Sequence, residues 1–220
     1  MAARRLARMT AEEFAALLAF ATAMSFTPGP NTLLATAIAA NFGLQRAWRF
    51  IVAVPAGWTL MMLACGLGLG ALLMAWPWLR AGVQVAGVAY LLWLAWKLAR
   101  TRELAPASDA RATVGFWQGV GLQFVNIKAW MLALALAAGW VATSAGRATA
   151  NPGERLAIVC VVMVVFALTS NTAYALAGSL LRRSLGTGSR LLWFNRAMAL
   201  LLVATAVWML ALPANGPWLR

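Results

Sequence analysis

The chain has 220 residues, 63% of them apolar and only 10% charged, with a mean hydropathy of +0.79. Soluble domains carry charge on about a quarter of their residues, so a sizeable water-exposed domain is excluded and the composition belongs to a bilayer. Eighteen Lys and Arg against five Asp and Glu leave +13, but nucleic-acid binders spread such charge over a water-facing surface that this chain hardly has, so the charge is read as marking loops on one side of a membrane.

At roughly 20 residues per span, the chain has room for about six transmembrane helices and an all-α fold. The first apolar run covers residues 14–42 and is interrupted at Thr27-Pro28-Gly29-Pro30-Asn31. Residues 50–79 carry no charge and read as one tilted span, with Pro55 near its start and Pro77 at its end. The third span, 81–96, is closed by Lys97, Arg100 and Arg102; the polar stretch 101–111, holding Glu103, Pro106, Ser108 and Asp109, reads as a loop. The fourth run, 114–143, carries Lys128 in its middle, Asn151-Pro152-Gly153-Glu154-Arg155 reads as a turn, and the fifth and sixth spans cover 156–181 and 197–212. Trp76, Trp78, Trp96, Trp117 and Trp193 fall at the expected ends, as in an interfacial belt. The whole chain, 1–220, is thus one transmembrane domain, with halves at about 11–100 and 113–213 joined by a linker at 101–112.

Six spans put alternate loops on opposite sides. Arg46, Arg49, Lys97, Arg100, Arg102, Arg111, Arg182, Arg183, Arg190 and Arg196 fall on one side; Arg80, Arg147, Arg155 and Arg220 fall on the other, with Arg4, Arg5 and Arg8 of the N-terminus. The positive-inside bias predicts both termini on the outer face. The N-terminal arginines dissent, and a translation start at Met9 would remove them. A cleaved signal peptide is disfavoured, because Glu12 and Glu13 interrupt the charge pattern and the apolar stretch runs on past Ala19-Phe20-Ala21.

The interruption in the first span carries the most chemistry. Pro28 and Pro30 have no N–H, so the carbonyls of Met24 and Phe26 lose their helical donors, and Gly29 permits backbone angles that other residues resist. Irregular backbone at membrane depth is tolerated only where it is buried in protein or lines a wet cavity. Freed carbonyls suit a substrate ammonium, and a helix restarting near Pro30 offers N–H groups to a carboxylate. A packing kink is the plain alternative. Lys128 costs about 3 kcal/mol at membrane depth and marks a functional site by default; its structural alternatives are snorkelling to an interface or capping carbonyls of the broken first helix. The break in span one and Asn126-Ile127-Lys128 in span four fall at similar depths in two halves of three spans each. An odd number of spans per half makes the halves inverted, and paired interruptions then point to a transport site near the midplane.

On these residues the chain resembles the lysine exporter/homoserine-threonine efflux (LysE/RhtB) family of bacterial amino-acid exporters. Pro28-Gly29-Pro30-Asn31, Gly43, Gly57, Gly87-Val88-Ala89-Tyr90-Leu91 with Trp96-Lys97, Asn126 with Lys128, and Asn195 match its motifs in order, over essentially the whole chain. Ala40-Asn41-Phe42-Gly43 and Leu91-Leu92-Trp93-Leu94-Ala95-Trp96-Lys97 look closest to the cysteine/O-acetylserine exporter branch. The resemblance implies a secondary active exporter of neutral amino acids or their derivatives in the bacterial inner membrane, working by alternating access without a cofactor, and compatible with a homodimer. The chain departs from the family in two places. Ile127 replaces the family proline between Asn126 and Lys128, so the fourth helix keeps an N–H there and need not break. Trp58 stands where several members carry an acid, which argues against a basic substrate.

All five acids, Glu12, Glu13, Glu103, Asp109 and Glu154, fall outside the apolar cores, so Lys128 is the titrating group available to any proton coupling. Recognition of a substrate would fall to the Met24 and Phe26 carbonyls, to Thr27, Pro28, Gly29 and Pro30 around the break, to the amides of Asn31, Asn126 and Asn171, to Lys128, and to the faces of Tyr90, Tyr174 or nearby Trp rings. Asn171 and Tyr174 lie one turn apart and should share a helix face. Gly66-Leu67-Gly68-Leu69-Gly70, Gly115 and Gly119 read as close helix packing rather than a nucleotide loop. With no His in the chain, neither a metal site nor a Ser-based hydrolase fits. The rival from another class is a membrane thiol–disulfide carrier using Cys65 and Cys160, at comparable places in the two halves, although neither sits beside a cation that would favour a thiolate.

Overall fold

The computed structural model describes residues 9–102, 114–144, 147–186 and 189–211. Most of the linker read at 101–112 and the N-terminal arginines lie outside them. Thr10 opens the first helix, α1 (Ala11–Phe26), with a capping box in which its hydroxyl accepts from the Glu13 N–H and the Glu13 carboxylate accepts from the Thr10 N–H. The chain breaks over Thr27-Pro28-Gly29 and resumes as α2 (Pro30–Phe42), its proline at the first helical position, where a missing N–H costs nothing. Gly43, at φ +88°, turns the chain into α3 (Leu44–Gly66).

The second span does not run on to residue 79: α3 stops at Gly66, Leu67-Gly68 forms a turn, and a short α4 (Leu69–Ala75) precedes α5 (Pro77–Ala99). Hydropathy is continuous across this point, but Gly68 adopts φ +101°, a left-handed turn that favours glycine. Gly68 is therefore a turn residue, whereas a Cβ on Gly70 would meet Leu134 of the next half. The fourth span does break, despite Ile127. It comprises α6 (Phe116–Val125) and α7 (Ile127–Leu136), the latter running into a π-helical turn at Ala137–Ala142, with a 69° bend at Asn126. Gly115 caps α6, its N–H donating to Gln118 Oε1, while Gly119 packs closely as expected, with room for a Cβ only 2.7 Å from that of Ala53. A two-residue antiparallel ladder, Thr143–Ser144 against Arg147–Ala148, follows. The turn expected at 151–155 is instead the start of α8 (Pro152–Leu185), and α9 (Ser189–Ala211) completes the described chain.

Helices α3, α5, α8 and α9 are each long and apolar enough to cross a membrane, and the bent α6–α7 pair makes a fifth candidate. With 16 and 13 residues, α1 and α2 are individually too short to span. Large apolar side chains such as Leu60, Val85, Val161, Leu200 and Val207 are exposed along these helices, a surface suited to lipid rather than water. Exposed Trp78, Trp96, Trp117 and Trp193 stand at helix ends, and the guanidinium of Arg100 lies 4.2 Å from the Trp96 ring centre.

Two apolar clusters fill the interior. One gathers Phe50, Ile51, Leu91, Leu122, Leu202 and Met209; the other gathers Leu17, Met61, Trp130, Leu136, Val159 and Met163. Glycines set the closest approaches: a Cβ on Gly178 would run into the Thr36 carbonyl, holding α8 against α2, and one on Gly57 would sit 2.7 Å from the Val120 oxygen, holding α3 against α6. Buried polar ties sit in each region. Asn41 and Asn195 exchange amide hydrogen bonds of 2.7 and 2.9 Å, and Asn195 also donates to the Thr101 carbonyl. Arg155, 1% exposed, pairs with Glu13 at 2.9 Å and donates from Nε to the Trp140 carbonyl, while Trp140 Nε1 donates to the Glu13 carbonyl.

Candidate functional site

Pro28 and Pro30 remove the donors that would continue α1, and its last carbonyls turn to partners from the other half of the chain. Tyr174 Oη donates to the Phe26 carbonyl at 2.9 Å, and Lys128 Nζ donates to the Thr27 carbonyl at 3.1 Å. The lysine sits in the first turn of α7, where a cation opposes the helix dipole. Its side chain leaves that positive end and reaches the carbonyl-rich end of α1, which explains how a charge is held at this depth. The carbonyl it caps is that of Thr27, not the two freed by the prolines. Gly29 also has a different role from the one expected: its backbone is extended (φ −166°) and open to any residue, but a Cβ there would lie 3.2 Å from Lys128 Nζ and 3.3 Å from its Cδ. Glycine makes room for the lysine. The Gly29 N–H donates to Thr32 Oγ1, which donates back to the Gly29 carbonyl, and α2 follows from there.

The break in the fourth span is built from side chains instead of proline. Asn126 is extended (ψ 101°) and its Oδ1 accepts from the Lys128 N–H at 3.1 Å, capping α7. The Trp130 indole donates to the Phe124 carbonyl at 2.8 Å, occupying an acceptor released by the bend. The two breaks are tied together by Asn31 and Gln123, whose amides exchange hydrogen bonds of 2.9 and 3.1 Å; Gln123 is completely buried.

Between the breaks lies a cavity of about 70 Å³, where the two apolar clusters meet. At ~10–15 Å³ per enclosed water, that is room for about five waters. Of the residues named from the sequence, Met24, Thr27, Gly29, Pro30, Asn31, Asn126, Lys128 and Asn171 line it. Pro28 and Tyr174 face instead a larger, mostly apolar groove of about 860 Å³ that shares Met24, Thr27, Gly29 and Lys128 with the cavity. Asn171 and Tyr174 thus address different spaces despite lying one turn apart, and Phe26 contributes its carbonyl to Tyr174 while its side chain is exposed. Tyr90 lines neither space: it packs against the first cluster, stacked on Trp93 at 5.6 Å. Sequence reasoning missed Gln123, Ser170 and Thr32 as lining residues, while Trp58, read from the sequence as bearing on substrate charge, lines the cavity too. Gln123 carried a usable signal, an amide side chain in an apolar run about one turn before Asn126.

None of the described lining residues is acidic, and the cavity's polar groups are amides, hydroxyls, backbone and one ammonium. The N-terminus of α2 opens onto it, with the first-turn N–H groups of Asn31 and Thr32 lacking a helical acceptor, whereas the first turn of α7 is capped by Asn126. Cys65 and Cys160 are free thiols packed in or against the second apolar cluster, and neither lines the cavity. The sequence signature of the family described as LysE type translocator matches residues 22–212. The chain belongs to the LysE type translocator family. It is 32% identical to a cysteine/O-acetylserine efflux protein of Klebsiella pneumoniae, over 90% of this chain and 97% of that protein. It is likewise 32% identical to one of Salmonella typhimurium, and 30% identical to one of Escherichia coli K12, each over 90% of this chain and 98% of the relative. No solved structure matches it. Membership of a translocator family, with four to five apolar spans, makes this a multi-pass membrane protein. It lends no support to a thiol–disulfide carrier.

Proposed function

We propose that this LysE type translocator exports small neutral amino acids or their derivatives, of the cysteine and O-acetylserine kind, across the bacterial inner membrane. The observation that carries the reading is the cavity at the meeting of two helix breaks, lined by one ammonium and several amides. A zwitterion needs donors for its carboxylate and acceptors for its ammonium. Lys128 and the first-turn N–H groups of α2 provide the former; the amide oxygen of Asn171 and the carbonyls at the end of α1 provide the latter. The absence of a carboxylate among the described lining residues disfavours a cationic side chain, and the efflux relatives supply the substrate class.

In this reading, residues 11–100 and 113–213 are two inverted halves, each contributing one broken helix to the site, and their relative movement gives alternating access. Both termini face outward, so the Arg182, Arg183, Arg190 and Arg196 cluster faces the cytoplasm. The test is efflux of a panel of labelled amino acids from proteoliposomes under an imposed proton gradient, with Pro30→Ala and Lys128→Ala in parallel. Selective release of small neutral members, reduced in both variants, supports the reading; release of the whole panel at protein-free rates refutes it.

A further inference from the structure

The cavity is lined by the polar groups of the helix breaks and by the apolar surfaces of Val54, Trp58, Leu132 and Met163. A zwitterionic head group belongs at the first and a substrate side chain at the second. Within this apolar lining the polar atom is the indole Nε1 of Trp58, a residue 5% exposed, whose N–H has no acceptor and is sealed from the cavity in this conformation. Across from α3, on α8, Asn171 is 3% exposed and its Oδ1 is also without a partner. Its amide orientation is fixed, because Nδ2 donates to the Ala167 carbonyl at 2.8 Å, which leaves the oxygen as the orphan.

A buried donor and a buried acceptor lining one cavity, not bonded to each other, carry the full desolvation cost of unpaired groups. Such a cost persists where a ligand relieves it. Both atoms are closed to water in this conformation, so a ligand reaches them through a rearrangement in which the two side chains turn toward the cavity.

We infer that Trp58 is a specificity-determining residue whose indole N–H reads a hydrogen-bond acceptor on the substrate side chain, while Asn171 Oδ1 accepts from the substrate ammonium. The favoured class is therefore small neutral amino acids with a side-chain oxygen, such as an O-acyl ester, over aliphatic amino acids of the same size. A thiol, a weak acceptor, falls between them. The inference rests on the amino-acid export reading and sharpens it to one contact.

A site that hydrogen-bonds a substrate group discriminates against analogues lacking it, because its own polar atom is then left unpaired. Competition for transport in proteoliposomes tests this. In wild type, O-acetylserine should compete at least about tenfold better than leucine, with cysteine between them. Trp58→Phe keeps the ring and removes the N–H; it should bring O-acetylserine and leucine to within about threefold of each other by weakening the former. Equal competition in wild type overturns the inference, whether or not the variant is active. A wild-type preference kept intact in Trp58→Phe also overturns it, while leaving the export reading standing. No saturable transport of any amino acid by wild type removes the export reading and this inference with it.

Discussion

The Asn31–Gln123 pair is the joint between the two helix breaks, and its strength can be worked out. Two hydrogen bonds, 2.9 and 3.1 Å long, connect side chains 92 positions apart in the sequence. Polar couplings between membrane helices average about 0.6 kcal/mol and reach about 1.7, so a reciprocal pair should be worth about 1 to 3 kcal/mol. Gln123 is fully buried and donates in addition to the Gly119 carbonyl at 3.2 Å, so no water replaces what it loses. Asn31→Ala and Gln123→Ala each also remove packing atoms, which a double-mutant cycle cancels. The assay is equilibrium unfolding in mixed micelles, followed by tryptophan fluorescence, for wild type, both single variants and the double variant. The expected result is a double variant less destabilised than the sum of the singles by about 1 to 3 kcal/mol. Additivity to within about 0.5 kcal/mol would mean that the two side chains do not meet, and the joint between the breaks would be wrong.

Three further outcomes follow from the packing. Gly178→Ala should destabilise by about 1 to 3 kcal/mol, because its Cβ meets the Thr36 backbone, whereas Gly121→Ala, with open space around it, should fall within about 0.5 kcal/mol of wild type in the same unfolding assay. Arg155→Met should cost about 2 kcal/mol, below the figure for a fully buried pair because Glu13 is 21% exposed, and adding Glu13→Leu should recover part of the loss. Replacing Cys65 and Cys160 together by Ser should leave export within about twofold of wild type, since a buried free thiol acts chiefly as a small hydrophobe; loss of export with the fold intact would restore the thiol reading.

What the sequence made legible was chemistry that acts locally. Pro28 and Pro30 lack an N–H whatever surrounds them, so the break in the first helix could be read directly, as could the side of the cavity it forms. Lys128 stood out because a charge in an apolar run has few places to go. The break at Asn126 was only half legible: Asn126-Ile127-Lys128 marked the place, but without a proline the bend rests on reach rather than on a missing donor, an asparagine side chain capping the next turn and an indole four residues on that takes a released carbonyl. The end of the second span was hidden because Leu67 and Gly68 are as apolar as their neighbours, and only the backbone angle of Gly68 reveals the turn. Gln123 was missed for another reason. Its importance lies in Asn31, a partner on another helix whose proximity no periodicity encodes. Tyr90 differs in the opposite sense: it belongs to the third-helix signature, but it packs half-buried against the first cluster beside Trp93, away from both spaces.

The central claim is that an amino acid binds between the two helix breaks, against Lys128, during transport. Counterflow tests it most directly: proteoliposomes preloaded with unlabelled O-acetylserine are diluted into labelled substrate, with wild type and Lys128→Gln side by side. The account predicts transient accumulation of label above equilibrium in wild type and a reduction of at least about tenfold in the variant, the expected loss of a charged hydrogen bond to the carboxylate. Equal overshoot in both proteins, or plain equilibration without overshoot in wild type, would contradict it.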